Sequence, residues 1–146
     1  MKKIMLLSLL LCGCVTPYQR SGYSGGFSEM KLSADLFEVN FRGNGYTGQS
    51  TVKRYFLRRC AEVALENGFD YFVFVDQEAY SGNYGVSSTE RGTISKDFAG
   101  NYQYNGTIDH SYVTKHGRTG TIKTFLKGKQ PETAYDAQEI LNNFTN

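Results

Sequence analysis

The chain has 146 residues, 40% of them apolar, which suffices for the core of one small domain. Sixteen basic residues, less Lys2 and Lys3 of the leader described next, leave 14 against 14 acidic. A near-neutral chain whose basic runs never exceed two residues gives no electrostatic case for nucleic acid or anionic lipid. Glycine and tyrosine are frequent, proline is rare and tryptophan is absent, as suits exposed Gly- and Tyr-rich loops.

Lys2 and Lys3 precede an apolar run over residues 4–11 that only Ser8 interrupts. This is the grammar of a secretory leader, and the run is too short to span a bilayer. Its end, Leu11-Cys12-Gly13-Cys14, resembles the lipobox of bacterial lipoproteins. The resemblance implies a diacylglycerol in thioether linkage on Cys14, cleavage between Gly13 and Cys14, and acylation of the new amino group. A thiol supplies the nucleophile, and small Gly13 admits the peptidase. Cys12 competes poorly because bulky Leu11 precedes it. The alternative is an ordinary cleaved leader with an incidental cysteine. With residues 1–13 removed and Cys14 lipidated, Cys60 is the one remaining thiol and no internal disulfide can form.

Residues 14–30 read as a lipidated cysteine and flexible tether, since 15–28 lack apolar period and contain Gly25-Gly26. Residues 31–146 read as one domain. Residues 36–41 alternate, with Phe37, Val39 and Phe41 on a buried face. A Gly-rich turn over 43–48 follows. Ser50 or Thr51 can cap a helix over 51–67, with Val52, Phe56, Cys60 and Val63 or Ala64 inward and Arg58, Glu62 and Glu66 on the wet side. Gly68 is its left-handed terminator. Residues 71–75 are apolar on both faces and read as a central strand covered on both sides. If the strands at 36–41 and 71–75 share a sheet, the helix between them makes a crossover.

From 80 to about 106 the pattern disappears, leaving either a flexible excursion or a weakly formed hairpin. Residues 107–115 and 119–127 read as two strands turning at His116-Gly117. Thr133 can cap a last helix with Asp136 at the capping-box position, its stripe Ala137, Ile140, Leu141 and Phe144 packing on the sheet. The fold class is therefore α+β: a small mixed sheet, one long helix between two strands, a later hairpin and a C-terminal helix.

Catalytic signatures are weak. Cys60 lies on the buried stripe, where a thiol packs rather than reacts. His110 and His116 sit well apart on one strand, a poor start for a metal site. The turn at 43–48 lacks the GxxxxGK[ST] ending of a phosphate loop. Asp70 and Asp76 flank a strand, on one face in strict alternation, without an evident acid–base partner. Tyr80, Tyr84, Tyr102 and Tyr104 could stack against sugars or partner proteins. No cofactor is expected.

Four segments stand in an order similar to a family of small proteobacterial lipoproteins named after Caulobacter loci, which has no assigned activity. They are Thr16-Pro17-Tyr18; Gly43-Asn44-Gly45-Tyr46-Thr47; Tyr55 through Arg58-Arg59-Cys60-Ala61-Glu62; and Gly68-Phe69-Asp70-Tyr71-Phe72. Tyr135-Asp136-Ala137 also fits, whereas residues 80–105 do not align. The resemblance implies an envelope lipoprotein and carries over no catalytic residue. In lipoproteins of this general kind Asp after the lipidated cysteine favours the inner membrane; Val15 stands here, which favours the periplasmic face of the outer membrane. The expected role is non-enzymatic, binding an envelope protein or cell-wall component or serving a structural part. The alternative is a periplasmic enzyme using Cys60 or an unrecognised carboxylate site.

Overall fold

The computed structural model describes residues 14–144, so the leader at 1–13, with Gly13, lies outside the described residues. The elements run β1 (Gly26–Lys31), β2 (Leu36–Arg42), α1 (Gln49–Glu66), β3 (Tyr71–Lys96), β4 (Tyr102–Phe125), β5 (Tyr135–Asp136) and α2 (Ala137–Asn142). This is an α+β fold. The five strands form one sheet in the order β1-β2-β4-β3-β5. Every neighbouring pair is antiparallel rather than mixed. Strands β2 and β3, joined through α1, do run parallel, but β4 lies between them.

The alternation of β2 has the expected effect: Phe37, Val39 and Phe41 are buried. They meet Val52, Phe56, Cys60, Val63 and Ala64 of α1, with Phe72 and Ile122 from the neighbouring strands. Each large apolar side chain so enclosed contributes roughly 1.5–3 kcal/mol. Helix α1 starts at Gly48 without a side-chain cap, rather than at Ser50 or Thr51. It ends as expected. Gly68 has φ +84°, its N–H donates to Leu65 O, and Phe69 N–H donates to Ala64 O, both at 3.0 Å. Helix α2 is capped by Asp136, which accepts from Glu139 N–H at 2.9 Å, not by Thr133. It packs against α1 rather than on the sheet.

The sheet has one covered face. Phe72 is buried, yet Val75 is exposed, so the expected two-sided cover of 71–75 does not hold. A bulge at Val75 explains part of this. Phe74 pairs with Ile122 on the helix side, whereas Asp76 pairs with Thr121, and the alternation changes face between them.

Of the two readings for 80–106, a flexible excursion and a hairpin, the structure takes the hairpin, and it is far longer than expected. These residues form the distal part of one long hairpin, with β3 and β4 in register out to Lys96 and Tyr102. No turn occurs at His116-Gly117, and residues 107–125 belong to a single strand. Strand β4 bonds to β2 only between Gly117 and Lys123, and β3 meets β5 only at Tyr71 and Phe72. Gly43 N–H still donates to His116 O at 2.8 Å; beyond His116 the two strands pair only with each other among the described residues. At roughly 3.3 Å per residue this arm extends about 50 Å from the core.

Candidate functional site

Residues 14–30 are not a loose tether: β1 begins within them at Gly26, and the residues before it form a bonded strap. Thr16 is fully buried; its N–H donates to Thr47 Oγ1 at 2.8 Å and its hydroxyl to Ser24 O at 2.8 Å. Asn44 N–H donates to Thr16 Oγ1 at 2.7 Å, and Asn44 Nδ2 to the Cys14 carbonyl at 2.8 Å. Asn44 can do this because its Oδ1 already accepts from Tyr46 N–H and the Thr47 hydroxyl, which fixes the turn. The Gly-rich loop at 43–48 is thus a receptor for the N-terminal strap. Close approach sets the strap's own glycine: Gly25 has φ +99°, and a Cβ there would come within 2.2 Å of Arg42 O.

Further along the strap, Tyr18 packs at 4.9 Å from the Phe27 ring and 5.3 Å from the Tyr55 ring. Arg58 stacks on Tyr18, its guanidinium carbon 4.1 Å from the ring centre. The Tyr18 phenol donates to Glu62. Burial, and then that neighbouring carboxylate, push the phenol's pKa well above its ordinary value.

Glu62 belongs to a wider network. The Arg59 side chain, 5% exposed, binds Glu62 at 2.9 Å, Glu66 at 2.8 Å and Glu29 at 3.3 Å. Arg58 binds Glu62 at 2.8 Å. Burial works against the charge on Arg59, yet the surrounding carboxylates outweigh it and raise its pKa. Glu62 and Glu66, one helical turn apart on α1, share one guanidinium, which offsets the repulsion of like charges. The network joins β1, α1 and the strap. Segments that carry the lipoprotein resemblance, around Thr16, Asn44 and Arg59, are brought into this one region.

The arm has two different faces. Directly paired residues share a face, so Ile94 lies with Tyr104, and Tyr102, Ile108 and Tyr112 follow on alternate positions of β4. All five are exposed. The opposite face carries Thr93, Arg91, Gln103, Asn105, Thr107 and Asp109. The end turn is closed by Asp97, whose carboxylate accepts from Ala99 and Asn101 N–H. Those bonds, led by Asn101, hold its carboxyl below the usual range. Tyr80 and Tyr84 lie nearer the root, with Lys115 4.6 Å from the Tyr84 ring centre.

The remaining candidates are placed as follows. Cys14 is exposed; Cys60 is buried, and burial pushes its thiol pKa up, away from the reactive thiolate. Asp70 and Asp76 tie β3 to its neighbour, accepting from Lys127 and Thr121 N–H. His110 lies on the arm's apolar face and His116 at its root, about 20 Å apart along β4. Among the described residues no cluster of His, Cys, Asp and Glu could hold a metal ion. Thr16, Asn44, Thr47 and Arg59 lie in the segments that carry the family resemblance, but the sequence assigns them no contacts; the one local physical signal is Asn44 three residues before Thr47, a turn-forming pattern. Compared with protein-family models, curated proteins and solved structures, the chain gives no match.

Proposed function

We propose that this chain is a bacterial cell-envelope lipoprotein, held through lipidated Cys14 on the periplasmic face of the outer membrane, with the hairpin arm as its non-enzymatic binding element. The leader and lipobox support the anchor, and Cys14 is exposed at the start of the folded strap. The observation that carries the binding role is the arm, a two-stranded ribbon whose outer edges pair with no other strand among the described residues and which has one Tyr- and Ile-rich face. An isolated hairpin is marginal in water, and open strand edges beside an exposed apolar face mark an interaction surface. An envelope protein or a cell-wall component fits that surface. The enzyme alternative finds less support, because Cys60 is enclosed and Glu29, Glu62 and Glu66 are engaged by Arg59.

Photoreactive amino acids placed at Ile108 and at Thr107 test the binding role in cells. Adducts from Ile108 that Thr107 does not give are expected. Silence from both positions, or equal labelling from both, refutes an arm-face partner. The anchor has its own check: Cys14→Ala should leave an unlipidated precursor. Normal maturation and membrane partition of that variant would refute lipidation.

A further inference from the structure

Cys14 opens onto a groove of about 590 Å³, lined with it by Tyr23, Tyr46, Tyr84, Val113 and Lys115. An adjoining hollow shares Tyr23, Tyr84 and Lys115 and adds Arg42. The two linings contain two cations and no carboxylate. Whole-chain charge conceals this, because only the fold brings Arg42 and Lys115, far apart in sequence, to one hollow. Tyr23 is fully exposed and Tyr46 is 72% exposed. Tyrosine, with an apolar ring and a polar tip, settles at the boundary between hydrocarbon and headgroups.

We propose that this face is a seat for the phospholipid bilayer, with Tyr23 and Tyr46 at headgroup depth and Arg42 and Lys115 towards the phosphates. The proposal rests on the lipidation of Cys14 and adds that the anchored domain meets the membrane through one defined face. On a flexible tether, the surroundings of Cys14 would say nothing about what the membrane touches. Here there is no slack. The Cys14 carbonyl is held by Asn44 at 2.8 Å, and Thr16, two residues on, is buried. Acyl chains attached to Cys14 Sγ leave from within the groove, so the bilayer surface is drawn to its rim. The seat lies at the root of the arm, which Tyr84, Val113 and Lys115 also build.

The chain has no tryptophan, so single substitutions give clean optical probes. Tyr46→Trp reports on the seat. Leu126→Trp reports on the position just after β4, about 35 Å from Lys115. Each lipidated protein is reconstituted into phosphatidylethanolamine–phosphatidylglycerol vesicles with acyl-brominated lipid. Trp emission at position 46 should shift to the blue and fall about two-fold, whereas emission at 126 stays unquenched. Adding Arg42→Gln and Lys115→Gln to Tyr46→Trp should reduce the quenching; unchanged quenching would overturn the role of the cations. Equal quenching at 46 and 126, in protein whose mass shows the diacylglyceryl group on Cys14, overturns the seat and leaves the anchor standing. A mass showing unmodified Cys14 overturns both.

Discussion

The phenol of Tyr18 donates its hydrogen bond to the carboxylate of Glu62, 44 residues away, and so fastens the N-terminal strap to the middle of α1. Glu62 also accepts from Arg58 and Arg59, both at 2.9 Å or less. Burial by itself would raise the Glu62 pKa, but the bonds from Tyr18, Arg58 and Arg59 outweigh it and hold the carboxyl below its ordinary 4.5. The folded protein therefore releases this proton more readily than the unfolded chain. Its contribution is complete above the unfolded pKa and is lost as pH falls through the folded one.

Tyr18→Phe keeps the ring and removes the donor. We expect it to cost about 1.5–3 kcal/mol of unfolding free energy at neutral pH, the range for a hydrogen bond to a charged group. Its Glu62 should titrate closer to the ordinary value, so stability should fall less steeply below about pH 4.5 than in the parent. Urea titrations from neutral pH into that acid range check both. Asp35, bonded to Lys123, is common to both proteins and cancels in the comparison. Identical acid slopes would show that the phenol does not set the Glu62 titration.

Arg59→Met should be the most damaging single change in the strap region. It leaves Glu29, Glu62 and Glu66 converging on an apolar side chain, and breaking a buried ion pair from one side costs about 3–5 kcal/mol. Arg58 has a side chain 37% exposed, and Arg58→Met should cost about 1 kcal/mol or less. Urea midpoints of the two variants decide the matter. Equal losses would mean that the network is a solvated surface feature.

Sequence periodicity carried the core well. The alternation of Phe37, Val39 and Phe41 and the spacing of Val52, Phe56 and Cys60 are local, and the structure buries all six. Gly68 announced the helix end because only a residue without Cβ takes that conformation freely. What stayed hidden depends on distant partners. Thr16 reads as a linker residue until Asn44 and Thr47 are placed around it. No local pattern marks Arg59 until three carboxylates converge on it. The arm was obscured for another reason: alternating Tyr, Gly and Ile among Ser, Thr and Asn carries too little aliphatic character to announce strands. The bulge at Val75 and the absence of a turn at His116-Gly117 follow from pairing, which one strand's sequence does not encode.

Gly45→Ala tests how tightly the strap loop is pressed against β4. A Cβ at Gly45 would lie 1.9 Å from Val113 Cγ1, and a β-branched side chain has little rotamer freedom with which to yield. The expected cost is about 1–3 kcal/mol. Adding Val113→Ala removes the obstructing methyls and should recover much of the loss. Melting temperatures of the two single variants and the double variant give the coupling. A double variant no better than the sum of the singles would place the strain elsewhere.

Tyr104 holds the arm together without help from the core. Its ring lies over two cross-strand glycines: a Cβ at Gly92 would come within 2.3 Å of the ring, and one at Gly106 within 2.5 Å of the hydroxyl. A glycine pair offers no side-chain packing of its own, so the tyrosine covers the backbone that would otherwise meet water. Tyr104→Ala should remove roughly 0.2–1 kcal/mol of local pairing energy, which speeds hydrogen exchange of arm amides a few-fold. Amides of α1 should keep their protection, because the ribbon beyond His116 pairs only with itself among the described residues. Equal acceleration in α1 would show that arm and core open as one unit. Unchanged exchange in the arm would show that the ring only shields the glycines and does not support the pairing.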